Sequence, residues 1–235
     1  RDSYQCIAIS EDGEHFERIE PVITNQPEGY TRHIRDPKVW EKDGTYYMII
    51  GIQSEDLKGK AALFSSQNIH DWKFLGEIAG GNKGKLGEFG YMWECPDYFQ
   101  LKDEKTSEIK DILVACPQGL EAQGDLYNNV FQSGYFMGKM DYEKPEFIIE
   151  SDFTELDRGH DFYAPQSMED DKGRRLMIGW MGVPEQEDYP TVKNEWLHCL
   201  TLPRELKLKN GKLYQVPIEE METIRGEKSE FSGSV

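Results

Sequence analysis

Trp93-Glu94-Cys95-Pro96-Asp97-Tyr98-Phe99 is the stretch on which the reading of this chain turns. Two carboxylates bracket a Cys-Pro pair, with aromatic rings on both sides. Alone, it reads as an acid at the head of a strand. Proline suits a strand's first residue, where no N–H is required by the ladder. Two other segments share the pattern, Asp36-Pro37-Lys38-Val39 and Ala164-Pro165-Gln166-Ser167. An acid stands shortly before each proline (Asp36, Glu94 and Asp161), at unequal gaps.

The residues after each proline repeat as well. Lys42-Asp43-Gly44 and Asp171-Lys172-Gly173 are turns between β-forming runs, and Asp-Gly is a strong hairpin signal. The first unit reads as four strands: 34–41, 45–51, 61–65 and 72–75. The second reads as 93–101, 111–116, 129–140 and 146–149. A third opens near His160 and returns through 175–181, 194–200 and 205–208. Before these, 4–10 and 16–19 form a hairpin, and 21–32 reads as loop. Lys209-Asn210-Gly211-Lys212 makes a last turn, and a short helix is possible at 218–224. The fold class is all-β, and four-stranded units repeated about an axis are β-propeller blades. The prolines fall at 37, 96 and 165, a spacing longer than the usual blade period of about 40–50 residues. Long connections account for the difference. In a propeller the innermost strands line the central channel, so acids at their heads are expected to converge.

The totals set limits. The chain of 235 residues has a net charge of -17, which argues against nucleic acid and anionic membranes as partners. No apolar run approaches the roughly 20 residues of a membrane-spanning helix. Cys6, Cys95, Cys116 and Cys199 are scattered without a C-x-x-C pair. They read as free thiols of a reducing, cytoplasmic compartment. No metal constellation is legible, and no cofactor is expected.

Paired acids in an aromatic-walled pocket suit glycosidic bond cleavage. One acid protonates the leaving oxygen, and a second carboxylate attacks the anomeric carbon or activates water. Glu94 beside Trp93 is expected to be partly desolvated, which favours the protonated form of an acid. Arg35 is expected to hold its neighbour Asp36 ionised. Trp93 and Tyr163 are expected to flank a small carbohydrate substrate, with Arg35 and Asp161 nearby.

Arg35-Asp36-Pro37, Glu94-Cys95-Pro96-Asp97 and Asp161-Phe162-Tyr163-Ala164-Pro165-Gln166 resemble, in this order, the motif series of glycoside hydrolase family 32. Gly179-Trp180-Met181-Gly182 and Leu200-Thr201-Leu202-Pro203-Arg204-Glu205-Leu206 look like that family too. The family comprises invertases, fructanases and bacterial sucrose-6-phosphate hydrolases, and the likeness is greatest to the bacterial branch. The resemblance implies a five-bladed propeller followed by a β-sandwich, and retaining hydrolysis of β-fructofuranosides. It implies Glu94 as general acid/base and Asp36 as a transition-state stabiliser that binds fructose hydroxyls. On this reading residues 1–208 are part of the propeller, about three full blades and the end of another. Residues 209–235 are a hairpin and linker toward an absent sandwich. Other readings are an arabinan- or xylan-type five-bladed glycosidase, a non-catalytic sugar-binding propeller, and fructosyl transfer.

The family's nucleophile belongs to a Trp-x-Asn-Asp-Pro-Asn-Gly motif, which this sequence lacks. An incomplete propeller also leaves open strand edges, which favour pairing with other chains. The isolated chain is therefore expected to leave sucrose and sucrose 6-phosphate unhydrolysed and to self-associate. Turnover above background, or a monomeric mass by light scattering, would contradict the respective expectation.

Overall fold

The computed structural model describes residues 3–159, 161–183, 185 and 189–233. His160, where the third unit was expected to open, lies outside the described residues. The chain begins with a hairpin of β1 (Gln5–Ile9) and β2 (Glu17–Ile23). A first sheet follows in the order β3 (Tyr30–Lys42), β4 (Thr45–Ser54), β5 (Gly59–Ser66), β6 (Lys73–Gly80). A second sheet runs β7 (Met92–Lys102), β8 (Ile109–Gln118), β9 (Gly134–Asp141), β10 (Glu146–Ile149), with β11 (Thr154–Glu155) added to β9. In the third, β12 (Tyr163–Glu169) pairs with β13 (Arg175–Met181), which pairs with β14 (Cys199–Leu200) and β15 (Arg204–Lys209); β16 (Lys212–Pro217) lies outside β15. All these pairings are antiparallel. The sheets are those of a partial β-propeller, with β3, β7 and β12 as the inner strands.

The sheets stack face to face through shared cores, and side-chain alternation explains how. In β4, Ile49 faces the second sheet with Leu63, Trp93, Leu113 and Phe136. Its neighbours Met48, Ile50 and Ile52 face the other way, onto Ile34 and onto Ile23 of the first hairpin. In β8, Leu113 and Ala115 join the first of these cores, while Ile112 and Val114 pack with Phe99, Met177 and Leu206. Strands covered on both faces read as continuous apolar runs, which is how the middle strands of the first two units looked in the sequence. Close stacking also needs bare backbone. A Cβ on Gly51 would lie 2.1 Å from the Trp93 carbonyl oxygen.

The expected turns form where Asp-Gly and Asn-Gly stand. Asp43 and Gly44 have φ of 51° and 76°, and Asn210 and Gly211 have 51° and 69°, the left-handed pair such two-residue hairpins need. Three expectations differ. The segment 21–32 is not all loop, because β2 runs on to Ile23 and β3 begins at Tyr30. Pro21 is tolerated there because it stands opposite Cys6 at an irregularity in a two-stranded ribbon. Residues 129–133 precede β9 instead of belonging to it. The 194–200 run pairs only through Cys199 and Leu200. A 3-10 turn over Pro190–Asn194 and left-handed φ at Glu195 (63°) and His198 (62°) break the extended chain before them.

The inner strands are tied by one buried knot. Asp97 is fully buried, and its Oδ2 accepts hydrogen bonds from the Ser167 amide at 2.8 Å and the Ser167 hydroxyl at 2.6 Å. Lys38 Nζ lies 3.3 Å from Asp97 Oδ1 and donates to the Ser167 carbonyl. One residue from each inner strand is thus held by the other two. Asp97→Ala would strand the ammonium and two donors, and should lower unfolding stability by about 3–5 kcal/mol. Urea denaturation checks this; a loss below about 1 kcal/mol, the range of exposed pairs, would show that the knot does not hold the sheets.

Candidate active site

The three proline motifs share one backbone feature. Asp36, Cys95 and Ala164, each directly before its proline, have φ of 62°, 46° and 49°. Left-handed φ is uncommon for non-glycine residues. At each of these places the inner strand gains one residue on its partner. Arg35 pairs with Gly51 and Lys38 with Ile49. Glu94 pairs with Cys116 and Asp97 with Val114. Tyr163 pairs with Trp180 and Gln166 with Ile178. These are equivalent β-bulges, a device that re-aims side chains beside active sites.

The residues before the bulges, Arg35, Glu94 and Tyr163, meet. Arg35 Nε donates to Glu94 Oε1 at 2.8 Å, and its Nη2 lies 2.7 Å from the same oxygen. Tyr163 donates its hydroxyl to Glu94 Oε2 at 2.7 Å. Gln118 Nε2 reaches Oε2 at 2.9 Å and the Tyr163 hydroxyl at 3.5 Å. The Glu94 side chain keeps 18% exposure, enough to reach a substrate. Asp36 stands beside it, its Oδ2 accepting the Cys95 amide at 2.9 Å and lying 3.5 Å from Cys95 Sγ. An acid, a base-stabilising cation and a second carboxylate thus share one end of the inner strands.

The acids expected to converge do so in part. Asp36 and Glu94 are neighbours through Cys95. Asp161 precedes β12 and lines a narrow cleft with Asn129, Phe131 and Gly182. In register the equivalent of Glu94 on β12 is Tyr163, which lines the same cleft as Asp161. Arg35 bonds Glu94 and not its sequence neighbour Asp36, whose carboxylate is taken by the Cys95 amide. Trp93 is corrected from pocket wall to core. It is fully buried, stacks on Phe136 at 5.8 Å between centroids, and donates its indole N–H to the Phe89 carbonyl at 2.7 Å. In a strand, the residue beside an inward acid faces the opposite side.

Gln118 was missed by sequence reading. It lies at the end of β8, two pairs diagonally from Glu94, within reach of a long side chain. Counting register back from Glu94 would have found it, had the length of the connection between β7 and β8 been legible. Burial, then the neighbouring thiol of Cys116 and the Glu94 carboxylate, push the Tyr163 hydroxyl well above its ordinary range, so it stays a neutral donor. No group of three His, Cys, Asp or Glu able to hold a metal occurs among the described residues. No helix among them is long and apolar enough to cross a membrane.

The profile of the glycosyl hydrolases family 32 N-terminal domain matches residues 1–217. The chain is 53% identical over 227 residues to a sucrose-6-phosphate hydrolase of Bacillus subtilis, covering 96% of this chain and 46% of that protein. It is 44% identical over 236 residues to that of Salmonella typhimurium, covering 100% and 49%. Among solved structures, the GH32 beta-fructofuranosidase of Bombyx mori superposes with a TM-score of 0.85 at 36% identity, over 96% of this chain and 46% of that one. A mutant of that enzyme has been solved in complex with sucrose. The sucrose-6-phosphate hydrolase of Lactobacillus gasseri superposes with a TM-score of 0.82 at 30% identity, over 95% and 44%. The chain thus spans about half the length of the relatives it matches.

The site's chemistry makes a prediction about its thiols. The four cysteines are free; Cys6 and Cys199 are exposed and Cys116 is buried. A hydrogen bond with Cys116, together with burial, pushes the Cys95 thiol far up. A raised thiol stays protonated at pH 8, and the thiolate is the reactive form. Ellman's reagent at pH 8 should therefore titrate Cys6 and Cys199 quickly and Cys95 and Cys116 only on unfolding. Fast labelling of Cys95, located by peptide mapping, would show it to be ionised.

Proposed function

The chain belongs to glycosyl hydrolase family 32, and from that premise we propose that the protein it forms part of hydrolyses β-fructofuranosides, sucrose or sucrose 6-phosphate, with retention. The observation that carries this is the meeting of Arg35, Glu94 and Tyr163 beside Asp36. In the first half-reaction Glu94 gives its proton to the glycosidic oxygen as the bond to the fructosyl carbon breaks. A carboxylate from outside these 235 residues attacks that carbon. In the second half Glu94 takes a proton from the water that releases fructose. Asp36, fixed by the Cys95 amide, binds fructose hydroxyls and steadies the positive charge of the transition state. Arg35 stabilises Glu94 whenever it is ionised.

Kinship with enzymes named for sucrose 6-phosphate and β-fructofuranosides favours this reading over an arabinan-type glycosidase or a non-catalytic sugar-binding propeller. Residues 1–208 would then lie in the propeller, with the hairpin and tail of 209–235 leading toward a β-sandwich. Free thiols suit a cytoplasmic enzyme. The exposed apolar residues of the third sheet, Met168, Ile178, Leu200, Tyr214 and Val216, suit association with further chain or a second copy.

In the complete protein, Glu94→Gln should lower kcat on sucrose or sucrose 6-phosphate by about 10²–10⁴ with little change in KM. Steady-state kinetics on both sugars checks it. Unchanged kcat would remove Glu94 from the chemistry.

A further inference from the structure

The two oxygens of Glu94 have partners of different kinds. Oε1 faces Arg35 Nε and Nη2 at 2.8 and 2.7 Å. A guanidinium accepts nothing and keeps its protons. A hydroxyl on Oε1 would therefore face two donors, so the transferable proton belongs on Oε2. There the Tyr163 hydroxyl, at 2.7 Å, can donate to a carboxylate or accept from a carboxylic acid. The Gln118 amide nitrogen, at 2.9 Å, can only donate. The carboxylate also fixes the amide's orientation, since the Gln118 carbonyl would repel Oε2. When Glu94 takes up its proton, the Gln118 N–H has an alternative acceptor in the Tyr163 oxygen at 3.5 Å.

We propose that Gln118 is a positioning residue for the proton cycle of Glu94: its amide holds Oε2 ionised between half-reactions and hands over to Tyr163 when Oε2 is protonated. This rests on Glu94 being the acid/base. A donor on a carboxyl oxygen stabilises the ionised form. The other titratable and charged groups around Glu94 come from each neighbouring strand. Arg35 stands on β3, with His33 Nδ1 2.8 Å behind it. Tyr163 stands on β12 and Cys116 opposite on β8. Cys95 adjoins Glu94 on β7, with Asp36 beyond it. Gln118 does not titrate, so removing its amide changes the donors on Oε2 without changing the site's charge.

The test is the pH profile of kcat/KM in the complete protein, on sucrose and on sucrose 6-phosphate. Gln118→Met keeps the side chain's length and removes the donor. Its basic limb, where the acid loses its proton, should move up by about one pH unit with KM little changed. Gln118→Glu sets a second carboxylate against Oε2 and should move the limb further the same way; it decides the matter should Gln118→Met not fold. Limbs that superimpose on the parent's in a folded variant overturn the proposal. A purely structural role would lower activity at all pH values alike. Carbon-13 NMR of the glutamate carboxyl carbons in this chain, parent against Gln118→Met, reads the same shift without turnover. Absence of turnover by the parent on both sugars would defeat the hydrolase reading, while the NMR shift would still decide the role of Gln118.

Discussion

A single carboxylate, Asp97, sits out of reach of water where the inner strands of three sheets meet. Its oxygens are engaged by Ser167 from one side and Lys38 from the other. Breaking such a buried pair from one side is costly, because the surviving partner keeps its desolvation penalty without compensation. The strands cannot slide or splay without exposing that cost. The apolar faces between sheets are adaptable by comparison, since hydrophobic burial is not directional. The ionic knot therefore fixes the mutual position of β3, β7 and β12, and the apolar clusters fill the space that this position leaves.

The geometry of the candidate site is a consequence of that fixed position plus one extra residue per strand. Each inner strand carries its bulge directly before a proline, in a left-handed conformation that a residue ahead of proline resists. Such outliers cost of order 1–3 kcal/mol each and persist where the surroundings over-determine them. Here three occur at one end of the same three strands. Arg35, Glu94 and Tyr163 hold the same position relative to the bulge, each at the last regular pair before it. There, residues 59 and 69 positions apart along the chain come within hydrogen-bond distance. Proline after the bulge removes an N–H that the interrupted ladder could not have satisfied.

Much of this was legible in the residues. The turns at Asp43-Gly44 and Asn210-Gly211, the apolar middle strands and the three prolines led to a propeller. What failed shares a cause. The sequence shows that a bulge-forming proline is present, but not how the extra residue rotates its neighbours. Adjacent Arg35 and Asp36 look like a pair and are not one. Trp93 and Tyr163 look alike beside their acids, yet one is core and the other touches the carboxylate. Asp161 was grouped with Asp36 and Glu94 for its charge, whereas by position relative to the bulge the counterpart of Glu94 is Tyr163. Gln118 and Ser167 are uncharged polar residues without a pattern of their own. Their roles come from cross-strand register, which depends on connection lengths that composition does not set.

On the proposed hydrolase reading, the scaffold has to serve opposite demands on Glu94. A residue that must first give and then take a proton needs a protonated and an ionised form of comparable stability. A site that only buried the carboxyl would favour the acid; one that only surrounded it with cations would favour the carboxylate. The bulges bring both influences to the same residue. Burial comes from the flanking sheets, and a fixed positive charge comes from Arg35 on one oxygen. On the other oxygen stands Tyr163, whose hydroxyl remains neutral because it too is buried. A neutral hydroxyl can follow the proton by turning, where a charged partner would have to be moved. On that reading, the division between a fixed cation on Oε1 and reversible partners on Oε2 lets the carboxyl change state while the backbone around it stays still.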